Sequence, residues 1–108
     1  MKLALPESIA VYFDAENRHA PELVPLCFSP DALVRDEKTT RHGVADIQEW
    51  ILETAKKYQH SIEPLSSTGG CDTITVRGRL AGPFPGSPIE LNFRFVLRDG
   101  KISELDIG

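Results

Sequence analysis

Asp36 ends the run ALVRD, residues 32–36, and shares a two-residue period with Ala32 and Val34. Successive side chains of a strand point to opposite faces. One face therefore carries Ala32, Val34 and Asp36, and the other Leu33 and Arg35. Both faces hold an aliphatic residue, so alternation alone leaves open which one faces inward. An Asp at a strand end is commonly a solvated turn residue. At the mouth of an apolar cavity the same carboxyl would have a raised pKa and would suit a general base taking a proton from carbon next to a carbonyl. Tyr12 is the second group. It falls on the apolar face of the first helix expected from the sequence, where a phenol is either a core aromatic or a donor to an oxygen that gains negative charge.

The remaining candidates are more scattered. His19, His42 and His60 do not cluster in sequence. His19 suits a helix end, and His42, in the loop after Asp36, could approach that carboxyl in the fold. Trp50, Tyr58, Phe93 and Phe95 could line a cavity between a long helix and a sheet, or could equally fill a core. A metal site needs at least three ligands in defined geometry, and no such motif occurs. There is also no Gly-rich phosphate loop, nucleotide fingerprint or nucleophile elbow, so no metal or cofactor is expected.

The elements that must position these groups follow from periodicity. Residues 6–19 read as a helix, with Pro6 in the permitted first turn and Ile9, Tyr12, Phe13 and Glu16 on one face that starts apolar and ends polar. Residues 20–28 suggest a second helix, short or distorted because of Pro25. SPD at 29–31 reads as a turn, 32–36 as a strand, and 37–43 as the passage to a long helix over 44–58. That helix carries a stripe of Val44, Ile47, Trp50, Ile51, Thr54 and Tyr58. Period-two segments follow. Pro64 marks the first as an edge or bulged strand, Gly78 marks a bulge or bend in the second, and Asp99–Gly100 is a hairpin turn joining the last two. The expectation is one α+β domain over residues 1–108.

Composition sets limits on function. The chain has 41% hydrophobic and 26% charged residues and a formal net charge of -4, which argues against a nucleic-acid partner. Lys56 and Lys57 fit the end of a helix, where the backbone dipole favours cations. Cys27 and Cys71 lack the spacing of a redox or zinc motif, so a cytoplasmic location is expected. Pro6 and Glu7 interrupt the start, and no later apolar run is long enough to span a bilayer. Neither a signal peptide nor a membrane association is expected.

The stretches YFDAENRHAPELVPLCFSPDALVRDE, RHGVADIQEWI and GPFPGSPIELNFRFVLRDGKISELDIG resemble the SnoaL-like branch of the nuclear transport factor 2-like superfamily. Relatives in that superfamily include ketosteroid isomerase and polyketide cyclases. The resemblance covers nearly the whole chain. It implies a cystatin-like, cone-shaped, strongly curved antiparallel sheet packed around three N-terminal helices, with a cavity inside the cone. It also implies a homodimer through the outer sheet face and an inner face carrying Phe93, Phe95, Leu105 and Ile107. By the same resemblance, Asp36 matches the general base of ketosteroid isomerase and Tyr12 its oxyanion donor. Phe93 stands where a protonated acid would complete that site, and loss of one such donor costs roughly 3 kcal/mol in the transition state. Two functions remain open. One is binding of a small hydrophobic ligand without catalysis. The other is an isomerase- or cyclase-like reaction with Asp36 as base and Tyr12 as hydrogen-bond donor.

Overall fold

Helix α1, Glu7–Arg18, buries Ile9, Tyr12, Phe13 and Glu16, the face that its spacing selects. It ends at His19, whose left-handed φ of 52° lets its N–H close back on the helix. The computed structural model describes residues 4–36 and 38–108. Glu37, in the passage expected to lead into the long helix, and Met1–Leu3, in the start read for a leader, lie outside the described residues. Pro21–Leu23 form a single 3-10 turn and Val24–Cys27 the short helix α2, which resolves the conflict raised by Pro25 by placing it in a first turn. Helix α3 spans Val44–Tyr58 and buries Ile47, Trp50 and Ile51. Asp46 in its first turn and Lys56 and Lys57 in its last complement the helix dipole.

The strands are β1 Phe28–Asp36, β2 Thr39–His42, β3 Ser61–Gly69, β4 Thr73–Ala81, β5 Ile89–Arg98 and β6 Lys101–Ile107. They form one six-stranded sheet in the order β2-β1-β6-β5-β4-β3. Three expectations are corrected here. The sheet is mixed, because β1 runs parallel to β6 while every other pair is antiparallel. The sheet is open: β2 and β3 lie at opposite edges, and the sheet is neither strongly curved nor a closed cone. The helices are also not all N-terminal, since α3 is inserted between β2 and β3. Two local expectations change as well. Residues 29–31 belong to β1, with a register shift against β6 between Phe28 and Leu33, and 39–42 form a strand.

Ala32 and Val34 are fully buried while Arg35 is exposed, so the Asp36 face of β1 is the inward one. The core gathers Tyr12, Phe13, Phe28, Phe93 and Phe95, with Tyr12 in edge-on contact with Phe13, Phe28 and Phe95 at ring separations of 5.2, 5.8 and 5.5 Å. Each buried aromatic contributes about 1.5–3 kcal/mol through its lost water contact. Pro64 lies on the edge strand β3, and the register shift falls between Pro64 and Ser66. Asp99 and Gly100 both have positive φ, 53° and 78°, as a tight hairpin requires.

Gly78 keeps its pairing with Leu91, while its pairing with Pro64 borders the register shift between β3 and β4. The irregularity expected there therefore lies on the β3 side, and the lack of a side chain at Gly78 also provides space. A Cβ there would sit 2.7 Å from Phe93 Cε1 and 3.2 Å from Ile62 Cγ2. Phe93 is hemmed in by Tyr12 and Phe13 and cannot swing away cheaply. Gly78→Ala should therefore destabilise the fold by about 1–3 kcal/mol, measured by denaturant unfolding. An unchanged midpoint would mean that Phe93 has room to move.

Candidate functional site

A cavity of about 180 Å³ lies between the helices and the sheet. Trp50, Thr54 and Tyr58 of α3 form one wall, and Leu80, Leu91, Phe93 and Ile107 of the sheet form another. Phe84 and Pro85, in the loop between β4 and β5, complete the lining beside Tyr58, with the Phe84 and Tyr58 rings edge-on at 5.6 Å. This loop passes close to the end of α3 because residue 82 is glycine. A Cβ on Gly82 would meet the Tyr58 and Gln59 carbonyl oxygens at 3.0 and 3.1 Å. The lining is mainly apolar, with four titratable side chains among it: Glu16, Asp36, Tyr58 and His60.

Asp36 is half-buried, and its Oδ2 accepts a hydrogen bond from Trp50 Nε1–H at 3.2 Å. The β1–β2 hairpin sets this position. Asp36 pairs with Thr39, whose hydroxyl donates to the Asp36 carbonyl at 2.6 Å. Arg41 of β2 reaches α3 through Glu53 at 2.6 Å and Asp46 at 3.4 Å, and Asp46 also accepts the His42 backbone N–H. Such partly exposed pairs contribute little each, up to about 1 kcal/mol, but together they fix the hairpin against the helix.

Glu16 is the residue that the sequence reading passed over. It is 3% exposed, and its Oε2 accepts the Tyr12 hydroxyl at 2.6 Å. Burial pushes its carboxyl up to about 7, against the opposing effect of the Tyr12 hydrogen bond, and the charge of Asp36 adds to the rise. Burial also holds the Tyr12 hydroxyl well above its usual range. His60 Nε2 stands 3.8 Å from Glu16 Oε1. Burial, with the nearby His19, lowers the His60 pKa, so at neutral pH the imidazole is mainly neutral and this contact is not an ion pair. The site holds together because Asn17, next to Glu16, pairs with β3: its Nδ2 donates to the Ile62 carbonyl at 2.9 Å and its Oδ1 accepts the Ile62 N–H at 2.6 Å.

The structure brings together Asp36, Trp50, Tyr58 and Phe93 from the expected set. It does not bring Tyr12, His42, Phe95 or Leu105 to the cavity lining. Tyr12 is fully buried with its hydroxyl directed to Glu16, so the pairing of an Asp base with a Tyr donor is not assembled. His42 is exposed on β2, whereas Phe95 and Leu105 are fully buried core residues. A signal for Glu16 was present in the stripe Ile9, Tyr12, Phe13, Glu16, which places a carboxyl on a buried face. His60, beside a helix end, had no comparable pattern. Among the described residues no group of three or more His, Cys, Asp or Glu side chains could hold a metal ion. No helix among them is long and apolar enough to cross a membrane.

The SnoaL-like domain family matches residues 9–105, and the chain belongs to this family. A candidate polyketide cyclase from Sinorhizobium meliloti is 38% identical, with a TM-score of 0.91 over 96% of this chain and 95% of that one. More distant structures share the fold alone. A protein of ketosteroid isomerase-like fold from Catenulispora acidiphila, in complex with trimethylamine, is 16% identical, with a TM-score of 0.81 over 97% and 86% of the two chains. The epoxide hydrolase/cyclase-like enzyme SalBIII of salinomycin pyran-ring formation is 21% identical, with a TM-score of 0.77 over 94% and 86%. No curated protein matches the chain.

The raised carboxyl of Glu16 has a consequence for stability. Its pKa moves from 4.5 to about 7 on folding, so between those values the unfolded chain holds fewer protons on this group. Stability therefore falls as pH rises through that window and levels off above it, by an amount on the order of 3 kcal/mol. His60 acts in the opposite sense: its lowered pKa favours the fold above 6.5, and that contribution is lost as pH falls through the folded value. Glu16→Gln should remove the first dependence only. Unfolding at about pH 5 and about pH 8 should show the variant gaining on the wild type at the higher pH. A difference that does not change with pH would mean that Glu16 ionises freely in the fold.

Proposed function

We propose that this SnoaL-like protein binds one compact, predominantly apolar small molecule in the cavity between α3 and the sheet. The observation that carries the reading is a cavity of about 180 Å³ with apolar walls and a few convergent polar groups at Glu16, Asp36 and His60. Its volume is below the roughly 300–1,000 Å³ of drug-sized sites, which favours small enones and aromatic polyketide fragments over steroids. Leu91→Trp should fill the space and abolish the thermal stabilisation that such compounds give the wild type, while the variant still folds. Retained stabilisation would put the ligand elsewhere.

A second reading has a specific observation in its favour. Asp36 lines the cavity beside Trp50, and a relative 38% identical over nearly the whole chain is described as a candidate polyketide cyclase. In this reading Asp36 is a general base that takes a proton from carbon next to a carbonyl. Asp36→Asn should then lower turnover by about 10²–10⁴-fold with little loss of binding. Binding without turnover by the wild type would leave the first reading alone.

Self-association through the outer sheet face belongs to the same proposal. Arg35 there meets Glu104 and Asp106, and Arg77 meets Glu90, so the face alternates in charge and could pair with itself about a twofold axis. Sedimentation velocity should give a dimer that weakens with Arg35→Glu. A monomer at all concentrations would reject it.

A further inference from the structure

His60 is 5% exposed, lines the cavity, and its Nδ1 has no hydrogen-bond partner among the described residues. Its other ring nitrogen is 3.8 Å from Glu16 Oε1, beyond hydrogen-bond reach. Glu16 lines the same cavity, and only its Oε2 is engaged, by Tyr12. Nδ1 itself is enclosed, so the hydrogen-bonding capacity beside the mainly apolar cavity is that of His60 Nε2 and Glu16 Oε1. Leaving such atoms unpaired is costly, and a ligand that pairs them gains accordingly.

We infer that Glu16 and His60 form a hydrogen-bonding anchor that recognises a carbonyl or hydroxyl oxygen on a neutral ligand. The inference rests on the small-molecule reading above and names the ligand class for that cavity. The charge around the pair supports a neutral occupant. Tyr12 and His19 face it from α1, Asp36 contributes a carboxylate from β1, and Tyr58 stands at the end of α3 with its ring 6.0 Å from that of His60. Lys57 of α3 lies over the Tyr58 ring at 5.0 Å. The strands β4, β5 and β6 bring only apolar side chains to the lining: Leu80, Ile89, Leu91, Phe93 and Ile107. At and below neutral pH a protonated Glu16 can donate and a neutral His60 can donate or accept, so a ketone takes one hydrogen bond and an alcohol two. An anionic ligand would meet the Asp36 carboxylate in the same space.

The test is calorimetric titration with three compounds of one shape: indane, 1-indanone and 1-indanol. At about pH 6 the wild type should bind the two oxygenated compounds roughly tenfold more tightly than indane, the effect of one net hydrogen bond. The preference for 1-indanone should shrink as pH rises through about 7, where Glu16 ionises and loses its donor. Glu16→Gln, which keeps a neutral donor at every pH, should retain the preference with a flat profile. His60→Phe should reduce the preference to within about threefold. Equal affinity for all three compounds in the wild type would overturn the anchor and leave the cavity reading standing. Binding of none of them would overturn both. If His60→Phe fails to fold, the Glu16→Gln profile decides: a pH dependence like that of the wild type would overturn the anchor.

Discussion

A carboxyl buried beside aromatic rings constrains this protein more than any other single interaction. Glu16 shares the buried face of α1 with Ile9, Tyr12 and Phe13, and its burial is tolerable because Tyr12 donates to it from one turn earlier. That bond fixes the Tyr12 ring, and the Tyr12 ring touches Phe13, Phe28, Phe93 and Phe95. The polar demand of one side chain is thereby tied to the packing of the whole aromatic core. The same demand leaves the second carboxyl oxygen facing His60, which gives the cavity its polar end.

Much of the architecture was legible in the residues. The stripe through Val44, Ile47, Trp50 and Ile51 gives α3 the bounds found, and Asp99–Gly100 forms the turn expected of it. Alternation placed Asp36 with Ala32 and Val34, and the burial of those two shows which face is inward. Strand direction was not legible. A period of two identifies a strand and is silent on whether its neighbour runs parallel, and β1 meets β6 across nearly the whole chain. The curvature expected from the resemblance failed for a related reason, since it depends on how the strands are paired rather than on their individual patterns. Tyr12 was placed correctly on a buried face but given the wrong partner. The sequence spacing that matched it to Asp36 carried no information about Glu16, one helical turn away, which takes its proton donor instead.

The parallel pairing of β1 with β6 divides the molecule into two parts with one seam. On one side lie the β1–β2 hairpin and the helices; on the other, the meander β3 to β6. Glu16, Asp36, Trp50 and Tyr58 belong to the first, while His60, Ile62, Leu91, Phe93 and Ile107 belong to the second. Each half supplies one wall, and neither encloses the cavity alone. The seam joins residues as distant as Phe28 and Ile102, so it closes only after a non-local search that slows folding. A molecule held across it would bind only the assembled state, acting as a third adhesive element between the halves. Occupancy would then be felt by the entire domain, as resistance of the two parts to separation, rather than at the contacted side chains alone.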